Sequence, residues 1–294
     1  MKSFLKRHKR FIYRVLNGLI PDDKKYLSFN YRWKIGHKLD WNNLQTYTEK
    51  VQWLKLYDRN PDYTTMVDKY LVKDYIANKI GSQYVIPTLG VWDKAEDIDF
   101  SMLPNQFVLK CTHDSGGLII CKDKKKLDME GARKELSKSL KMRFYMEGRE
   151  YQYKDVEPRI IAEQYLEQED GGAPWDYKVL CFGGKAKLIE VHAGRFSDGH
   201  SQTFYDTEWK QTTISQGGKE TITKTPIPKP RCLEELIEKS EILAQGMRHV
   251  RVDWYIIKDK LLFGEITLYD GSGLEPFTTY EDDLLLGSWI DINN

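Results

Sequence analysis

The chain has 294 residues, 40% hydrophobic and 30% charged, with 45 lysine and arginine residues against 44 aspartate and glutamate. That length supports one large domain or two closely packed ones, and the charge balance argues against nucleic acid as a partner, because neutralising phosphates needs a clear basic excess. No window approaches eighteen uninterrupted apolar residues, so no segment is expected to span a bilayer.

At the start, Lys2, Lys6, Arg7, Lys9, Arg10 and Arg14 precede the first acid, Asp22. Phe4, Leu5, Phe11, Ile12, Val15, Leu16, Leu19 and Ile20 recur at helical spacing, which predicts a basic amphipathic helix. Its stripe either packs on the body of the protein or gives residues 1–20 a peripheral contact with an anionic membrane surface. Helical patterns rich in aromatic residues continue to about residue 60 without a chemical motif. A further helix is expected over 62–80, closed by Gly81, and a short edge strand at Tyr84–Pro87, since proline cannot donate within a central strand. Two apolar runs, Phe107–Leu109 and Leu118–Cys121, flank the loop Thr112–Gly117 and read as strands. A charged helix is expected from Lys126 to Met146, and a strand over Arg159–Leu166. Tyr177–Phe182 and Lys187–His192 about Gly183-Gly184 read as a hairpin. Leu233, Leu236, Ile237, Ser240, Leu243 and Ala244 make one face of a helix that stops at Gly246, and a last hairpin pairs Val250–Ile257 with Leu261–Leu268. This order predicts an α+β protein with antiparallel sheets. The four cysteines show no CxxC spacing and the six histidines no HxxxH pair, which argues against zinc and disulfides and for reduced thiols in a cytoplasmic protein.

The last hairpin carries the clearest chemical signal. With Lys258–Lys260 as the turn, Asp253 faces Glu265 and Arg251 faces Thr267, while Val252, Trp254, Ile256, Leu262 and Ile266 take the apolar face. Opposed carboxylates repel at a Cβ separation of about 5 Å. Such a pair suits Mg²⁺, which takes one or two carboxylates plus substrate phosphates; two solvated acids on an exposed face are the plainer alternative. Lys110 ends a strand just before Ser115-Gly116-Gly117, a loop that offers backbone N–H groups to phosphate while the lysine adds a point charge. A plain hairpin would look the same. Neither a GxxxxGK[ST] loop nor a GxGxxG fingerprint occurs, which disfavours P-loop NTPases and Rossmann dehydrogenases.

Taken in order, Asp68-Lys69, Lys110 before its glycine loop, Ala162-Glu163-Gln164-Tyr165-Leu166, Lys178, Arg251-x-Asp253 and Gly264-Glu265-Ile266-Thr267 resemble the ATP-grasp fold, whose members include D-alanine–D-alanine ligase. The stretches RIIAEQYLE, DYKVLCFGGK, RVDWYIIKDKLLFGEITLYDGSGLEPF and LLLGSWIDI are similar to its TupA-like branch, named for teichuronopeptide synthesis and associated with bacterial surface polysaccharides. The resemblance covers roughly residues 25–294 and implies two α+β subdomains with antiparallel sheets gripping ATP. They would span 61–166, with the glycine loop, and 167–294, with the magnesium site, after a short helical region at 1–60.

The same resemblance implies roles. Lys69 and Lys110 contact the ATP phosphates, with Ser115, Gly116 and Gly117 folding over them. Glu163 and the backbone of Gln164, Tyr165 and Leu166 line the adenine, and Glu167 or Asp170 holds the ribose. Asp253 and Glu265 bind two Mg²⁺ ions, Arg251 steadies the transferred phosphate, Lys178 stands at a family-typical strand position, and Arg195 is the candidate for acceptor binding. Thr267 stands where the family often has asparagine, so Asp270 or water is expected to fill that ligand place. The implied reaction is ATP-dependent amide formation between a carboxylate acceptor, a small molecule or a glycan, and an amine donor. A glycosyltransferase of polysaccharide assembly and a catalytically inactive binding module are the rival readings; neither a D-x-D triplet on a strand end nor a parallel βαβ series supports the first.

Overall fold

The computed structural model describes residues 18–114, 117–168, 171–194, 201–216 and 226–293. Ser115, Gly116, Asp170, Arg195 and most of the expected N-terminal basic helix lie outside the described residues. Among the described residues no helix is long and apolar enough to cross a membrane.

The first helices lying wholly within the described residues are α1 (Asp23–Ile35) and α2 (Tyr47–Tyr57). Thr46 and Glu49 form a reciprocal capping box at the start of α2, which satisfies amides that would otherwise lack partners. Helix α2 buries Tyr47, Val51 and Leu54. It is tied to a C-terminal helix, Tyr280–Ser288, by hydrogen bonds from Thr48 to the Asp283 carboxylate and from Lys50 to the carbonyls of Gly287 and Ile290. Gly287 is required there, since a Cβ would run into the Gln45 carbonyl oxygen.

Three elements differ from the sequence expectation. The helix expected over 62–80 is two, α3 (Tyr63–Val67) and α4 (Val72–Ile80), because the Asp68 carboxylate accepts the amides of Tyr70 and Leu71 and turns the backbone out of the helix between them. The edge strand follows Pro87 rather than ending on it: a single 3₁₀ turn occupies Ser82–Tyr84, and β1 is Thr88–Trp92. The helix expected over 126–146 is α5 (Met129–Leu140), capped by Asp128, followed by a short α6 (Tyr145–Gly148).

Strands β1, β2 (Phe107–Cys111), β3 (Leu118–Cys121) and β4 (Ile160–Gln164) form an antiparallel sheet in the order β1-β4-β2-β3. Its apolar face buries Phe107, Leu109 and Cys111 with Ala132 and Leu136 of α5. A second antiparallel sheet has the order β7-β6-β5-β8-β9, from β5 (Asp176–Phe182), β6 (Lys185–Ala193), β7 (Ser201–Tyr205), β8 (His249–Ile257) and β9 (Lys260–Thr267). Helix α7 (Leu233–Ala244) covers one face, where Val179, Val252 and Trp254 are fully buried and the Trp254 indole donates to Ser240 at 2.9 Å. The C-terminal helix against α2 is α8. The molecule is therefore α+β with two antiparallel sheets, as expected.

His249, at the start of β8, is a buried polar node. Its Nδ1 lies 2.9 Å from the Cys181 carbonyl oxygen and so carries the proton, leaving Nε2 to accept from the Tyr47 hydroxyl at 3.0 Å. Burial pushes the imidazole pKa down to about 4. An unfolded histidine titrates near about 6.5, so the unfolded chain takes up the proton first as pH falls. The stability His249 contributes is full above that value and is lost towards the folded value. Urea unfolding should lose about 2 kcal/mol from this group between about pH 7.5 and about pH 5, and His249→Gln should flatten that slope. An unchanged slope in the variant would remove the assignment.

Candidate active site

The face of the second sheet away from α7 carries a row of charge. Glu190 on β6, Lys178 on β5, Asp253 on β8 and Glu265 on β9 are successive cross-strand partners, and Arg251 pairs with Thr267 in the neighbouring rung. The expected facing of Asp253 with Glu265 is present, although the turn differs. It has two residues, Lys258 and Asp259, both left-handed (φ 52° and 60°), and a bulge at Gly264 restores the register. The bulge also corrects the apolar face, which on β9 is Leu261, Phe263 and Ile266 rather than Leu262 and Ile266. Gly264 suits that bulge because a Cβ would come within 3.1 Å of the Asp253 carbonyl oxygen.

Arg251 is the hub of this row. Its Nε donates to Asp253 Oδ1 at 2.7 Å and its Nη2 to Asp253 Oδ2 at 2.8 Å, a bidentate fork. Nη2 also reaches Thr267 Oγ1 at 3.1 Å and lies 3.6 Å from Glu265 Oε1, while Nη1 donates to Asp270. The Lys178 ammonium donates to the second oxygen of Asp253. Burial favours the neutral acid at Asp253, but Arg251 and Lys178 prevail and hold its carboxyl at about 2. Burial likewise raises Asp270, and there Arg251 only partly offsets it. Asp270 reaches Arg251 because Gly271, Ser272 and Gly273 all take left-handed backbone. That turn is fastened to α2 by Gln52 Nε2, which donates to the Gly273 carbonyl at 2.9 Å, and by Lys55 Nζ, which donates to Ser272 Oγ at 2.8 Å. Glu265 differs from its neighbours in that its side chain is 44% exposed.

The first sheet supplies the opposite wall. Glu163 is buried between two ammonium groups, Lys73 at 2.7 Å and Lys110 at 2.6 Å. Burial raises its pKa, but the two lysines more than compensate and leave the carboxyl below its usual range. Lys69 Nζ donates to the Asp114 carbonyl at 2.6 Å, and the Asp114 carboxylate accepts from the Gly117 amide at 3.3 Å and from the Ser139 hydroxyl. These bonds anchor both ends of the glycine loop.

Two cavities lie between the walls. The larger, about 670 Å³, is lined by Lys69, Lys110, Gly117, Lys178, Arg251, Asp253, Glu265 and Thr267 among others. The second, about 400 Å³, is lined by Ile86, Val108, Leu118, Ile120 and Ala173 with Glu163, Gln164, Tyr165 and Leu166. They share Lys110, Leu118, Asp176 and Tyr255, so an apolar slot opens beside a polar chamber. The chamber walls hold eight carboxylates (Asp114, Glu150, Asp176, Glu190, Asp253, Glu265, Asp270, Glu275) against four lysine and arginine residues (Lys69, Lys110, Lys178, Arg251), a formal excess of four negative charges.

Every expected site residue within the described segments thus lines one cavity or the other, except Glu167, which lines neither. Sequence reasoning missed Lys73, the second partner of Glu163, and Glu190, the carboxylate beside Lys178. Lys73 gave no distinguishing signal among the lysines of its helix. Glu190 carried one, an acid set directly among the apolar residues Leu188, Ile189 and Val191. Among the described residues no group of three or more histidine, cysteine, aspartate or glutamate side chains forms a metal cage. Asp253, Glu265 and the Thr267 hydroxyl are nonetheless hard oxygen donors. Glu265 is open to the chamber, and Asp253 Oδ1, which among the described residues accepts from Arg251 alone, keeps a second lone pair. They would fit a magnesium ion that takes the rest of its shell from phosphate oxygens and water.

A family model described as TupA-like ATPgrasp matches residues 49–291. Similar solved structures include a D-alanine–D-alanine ligase from Bacillus anthracis complexed with ATP, at 15% identity over 76% of this chain and 63% of that one, with a TM-score of 0.41. An L-amino acid ligase from Bacillus licheniformis is 12% identical over 87% of this chain and 58% of that one, with a TM-score of 0.48. A D-alanine–D-alanine ligase from Helicobacter pylori is 13% identical over 85% and 68%, with a TM-score of 0.45. The chain therefore spans about three fifths of the length of the first two. Among curated protein sequences nothing matches.

Proposed function

Because the chain belongs to the TupA-like ATP-grasp family, we propose that it is an ADP-forming carboxylate–amine ligase. It uses ATP and Mg²⁺, acts in the cytoplasm, and amidates a carboxylate of a bacterial surface polysaccharide or of its precursor. The observation that carries this reading is the junction of an apolar slot with a charged chamber at Lys110, a division that suits a base and its phosphates.

In this reading Glu163 and the Gln164–Leu166 segment border the adenine, and Glu167 or Asp170 takes the ribose. Lys69 and Lys110 grip the phosphates under the loop that contains Ser115, Gly116 and Gly117, and Arg195 contacts the acceptor. Asp253 and Glu265, with Thr267, hold the magnesium, which when bound neutralises charge on the transferred phosphoryl group. A free carboxylate is a poor electrophile, and phosphorylation by ATP converts it to an acyl phosphate that an amine attacks. Little covalent work falls to the protein. Lys178 and Arg251 stabilise the charge that moves with the phosphoryl group, and closure of the loop keeps water from the intermediate. The excess of carboxylates in the chamber fits this economy, because a polyanionic nucleotide enters such walls only with cations.

Hydroxylamine is a small, mostly uncharged nucleophile at neutral pH. In its presence the protein should convert a uronic-acid carboxylate to a hydroxamate, dependent on ATP and Mg²⁺, with ¹⁸O from labelled carboxylate appearing in the released phosphate. Release of a nucleoside diphosphate from a UDP-sugar without any need for ATP would overturn the ligase reading in favour of glycosyl transfer. AMP and pyrophosphate as products would reject the acyl phosphate.

The phosphate grip is tested separately. Lys110→Met and Lys69→Met should each weaken ATP binding by roughly 2–4 kcal/mol in titration calorimetry, the scale for losing a partly buried charge-assisted contact. Lys126→Met removes a side chain that is 85% exposed and should leave the affinity unchanged. Equal affinity in all three would remove the lysines from the site.

A further inference from the structure

We infer that Glu190 is the recognition carboxylate for the amine substrate, which binds in the large cavity as a primary ammonium ion. The inference rests on the ligase reading of that cavity and names the chemistry of its second substrate.

Glu190 is only 2% exposed, on the cavity-facing side of β6. One of its oxygens, Oε1, is held by two donors, His192 Nε2 at 2.7 Å and Gln202 Nε2 from β7. The other, Oε2, is buried and has no hydrogen-bond partner among the described residues. A fold seldom buries an ionised oxygen without a donor, and where it does a missing partner is the usual reason. The carboxyl is ionised despite its burial, because the His192 hydrogen bond and the Lys178 ammonium hold it well below the usual carboxylate range. The vacancy in its hydrogen bonding is therefore one for a donor, and in a chamber with an excess of carboxylates the fitting donor is a cation.

The position also suits the reaction. Glu190 and Asp253 flank Lys178 on strands either side of β5. Two strand spacings separate them by about 10 Å. A phosphoryl group handled at Asp253 and Glu265 thus lies across Lys178 from an amine held at Glu190, with the acyl carbon between. The bound ammonium gives one proton to water, and the free amine then forms the C–N bond as the acyl C–O bond breaks and phosphate leaves. A metal ion suits the Glu190 end less well. Only one carboxylate oxygen is open, Lys178 stands beside it, and its other oxygen is committed to His192 and Gln202, whereas Mg²⁺ demands a near-octahedral oxygen shell.

Methylammonium is the probe, with methanol as an uncharged molecule of similar size, in saturation-transfer NMR on the full chain. Methylammonium should bind and methanol should not. Glu190→Gln should weaken methylammonium by about tenfold or more, the scale for loss of a buried charge-assisted contact. Glu190→Asp keeps the charge and withdraws it by one methylene, and should weaken binding by about threefold or more, so the question is answered even if the glutamine variant does not fold. Binding of methylammonium that is absent from the wild type, or equal in the wild type and Glu190→Asp, overturns the inference. So does Mg²⁺ binding, titrated by calorimetry without methylammonium, that is lost in Glu190→Gln, which would make Glu190 a metal ligand. The readout needs no turnover: lack of ATP-dependent hydroxamate would remove the ligase reading, whereas the NMR result judges Glu190 itself.

Discussion

Glu265→Gln should abolish turnover while leaving the fold intact. The two carboxylates that face each other across β8 and β9 are not equivalent. Asp253 is buried and compensates two cations, Arg251 and Lys178, whereas Glu265 is 44% exposed and lies 3.6 Å from Arg251 at its nearest. Neutralising Glu265 therefore removes half the anionic charge offered to magnesium without stranding a buried partner. ADP release should fall by about a thousandfold or more, the scale for losing a preorganised electrostatic contact to the transition state, with the melting temperature within about 2 °C of wild type. Asp253→Asn should lose activity too, but for two reasons. It leaves Lys178 and Arg251 under-compensated in a buried site, at roughly 3–5 kcal/mol, and the melting temperature should drop by about 10 °C. Calorimetric melting and ADP release measured on both variants separate the two effects. Full turnover of Glu265→Gln at saturating Mg²⁺ would remove the metal assignment.

The contrast between the two hairpins shows why part of this site was legible in the sequence and part was not. Around β8 and β9 the sequence suggests a three-residue turn, the real one has two residues, and the Gly264 bulge moves the register by the missing residue, so Asp253 still faces Glu265. Around β5 and β6 the turn Gly183-Gly184 was evident, with both glycines left-handed, but a register shift between Leu180 and Cys181 brings Glu190 rather than Ile189 opposite Lys178. A bulge costs one residue and leaves no compositional mark unless a glycine occupies it. Glycine marks the first bulge and nothing marks the second.

A similar limit applies to the helices. Apolar spacing over 62–80 was continuous, yet the chain breaks at Asp68, whose side chain competes for the amides that would continue the helix. That break positions the site, because it lets the Lys69 amide bond to the Thr112 carbonyl and its ammonium to the Asp114 carbonyl beside the glycine loop. Periodicity reports which face is buried. It does not report where an aspartate side chain ends a helix to aim a lysine.

Replacing Arg251 should have the broadest effect of any single change. Its guanidinium holds Asp253 through two bonds, Asp270 through a third and Thr267 through a fourth, and all of these lie at the chamber floor. Arg251→Met strands Asp270 and leaves Asp253 with Lys178 alone, so at pH 7 the fold should lose roughly 3–5 kcal/mol and turnover should vanish. The pH dependence identifies the cause. In the wild type, Asp253 titrates at about 2, below its unfolded value, so the stability it contributes is full above about pH 4 and is lost only as pH falls through 2. Without the arginine the cluster's carboxyls rise, Asp270 furthest because burial already raises it, and the folded variant takes up protons before its unfolded chain does. The stability deficit of Arg251→Met should therefore shrink as pH falls from about 7 towards about 4. Arg251→Lys keeps the charge but offers one nitrogen where three were used, so it should recover much of the stability and little of the turnover, remaining about a hundredfold or more below wild type. Urea unfolding at both pH values and ADP release on all three proteins decide the matter. A deficit that grows on acidification, or a lysine variant with full activity, would mean that Arg251 serves the fold and not the phosphoryl group.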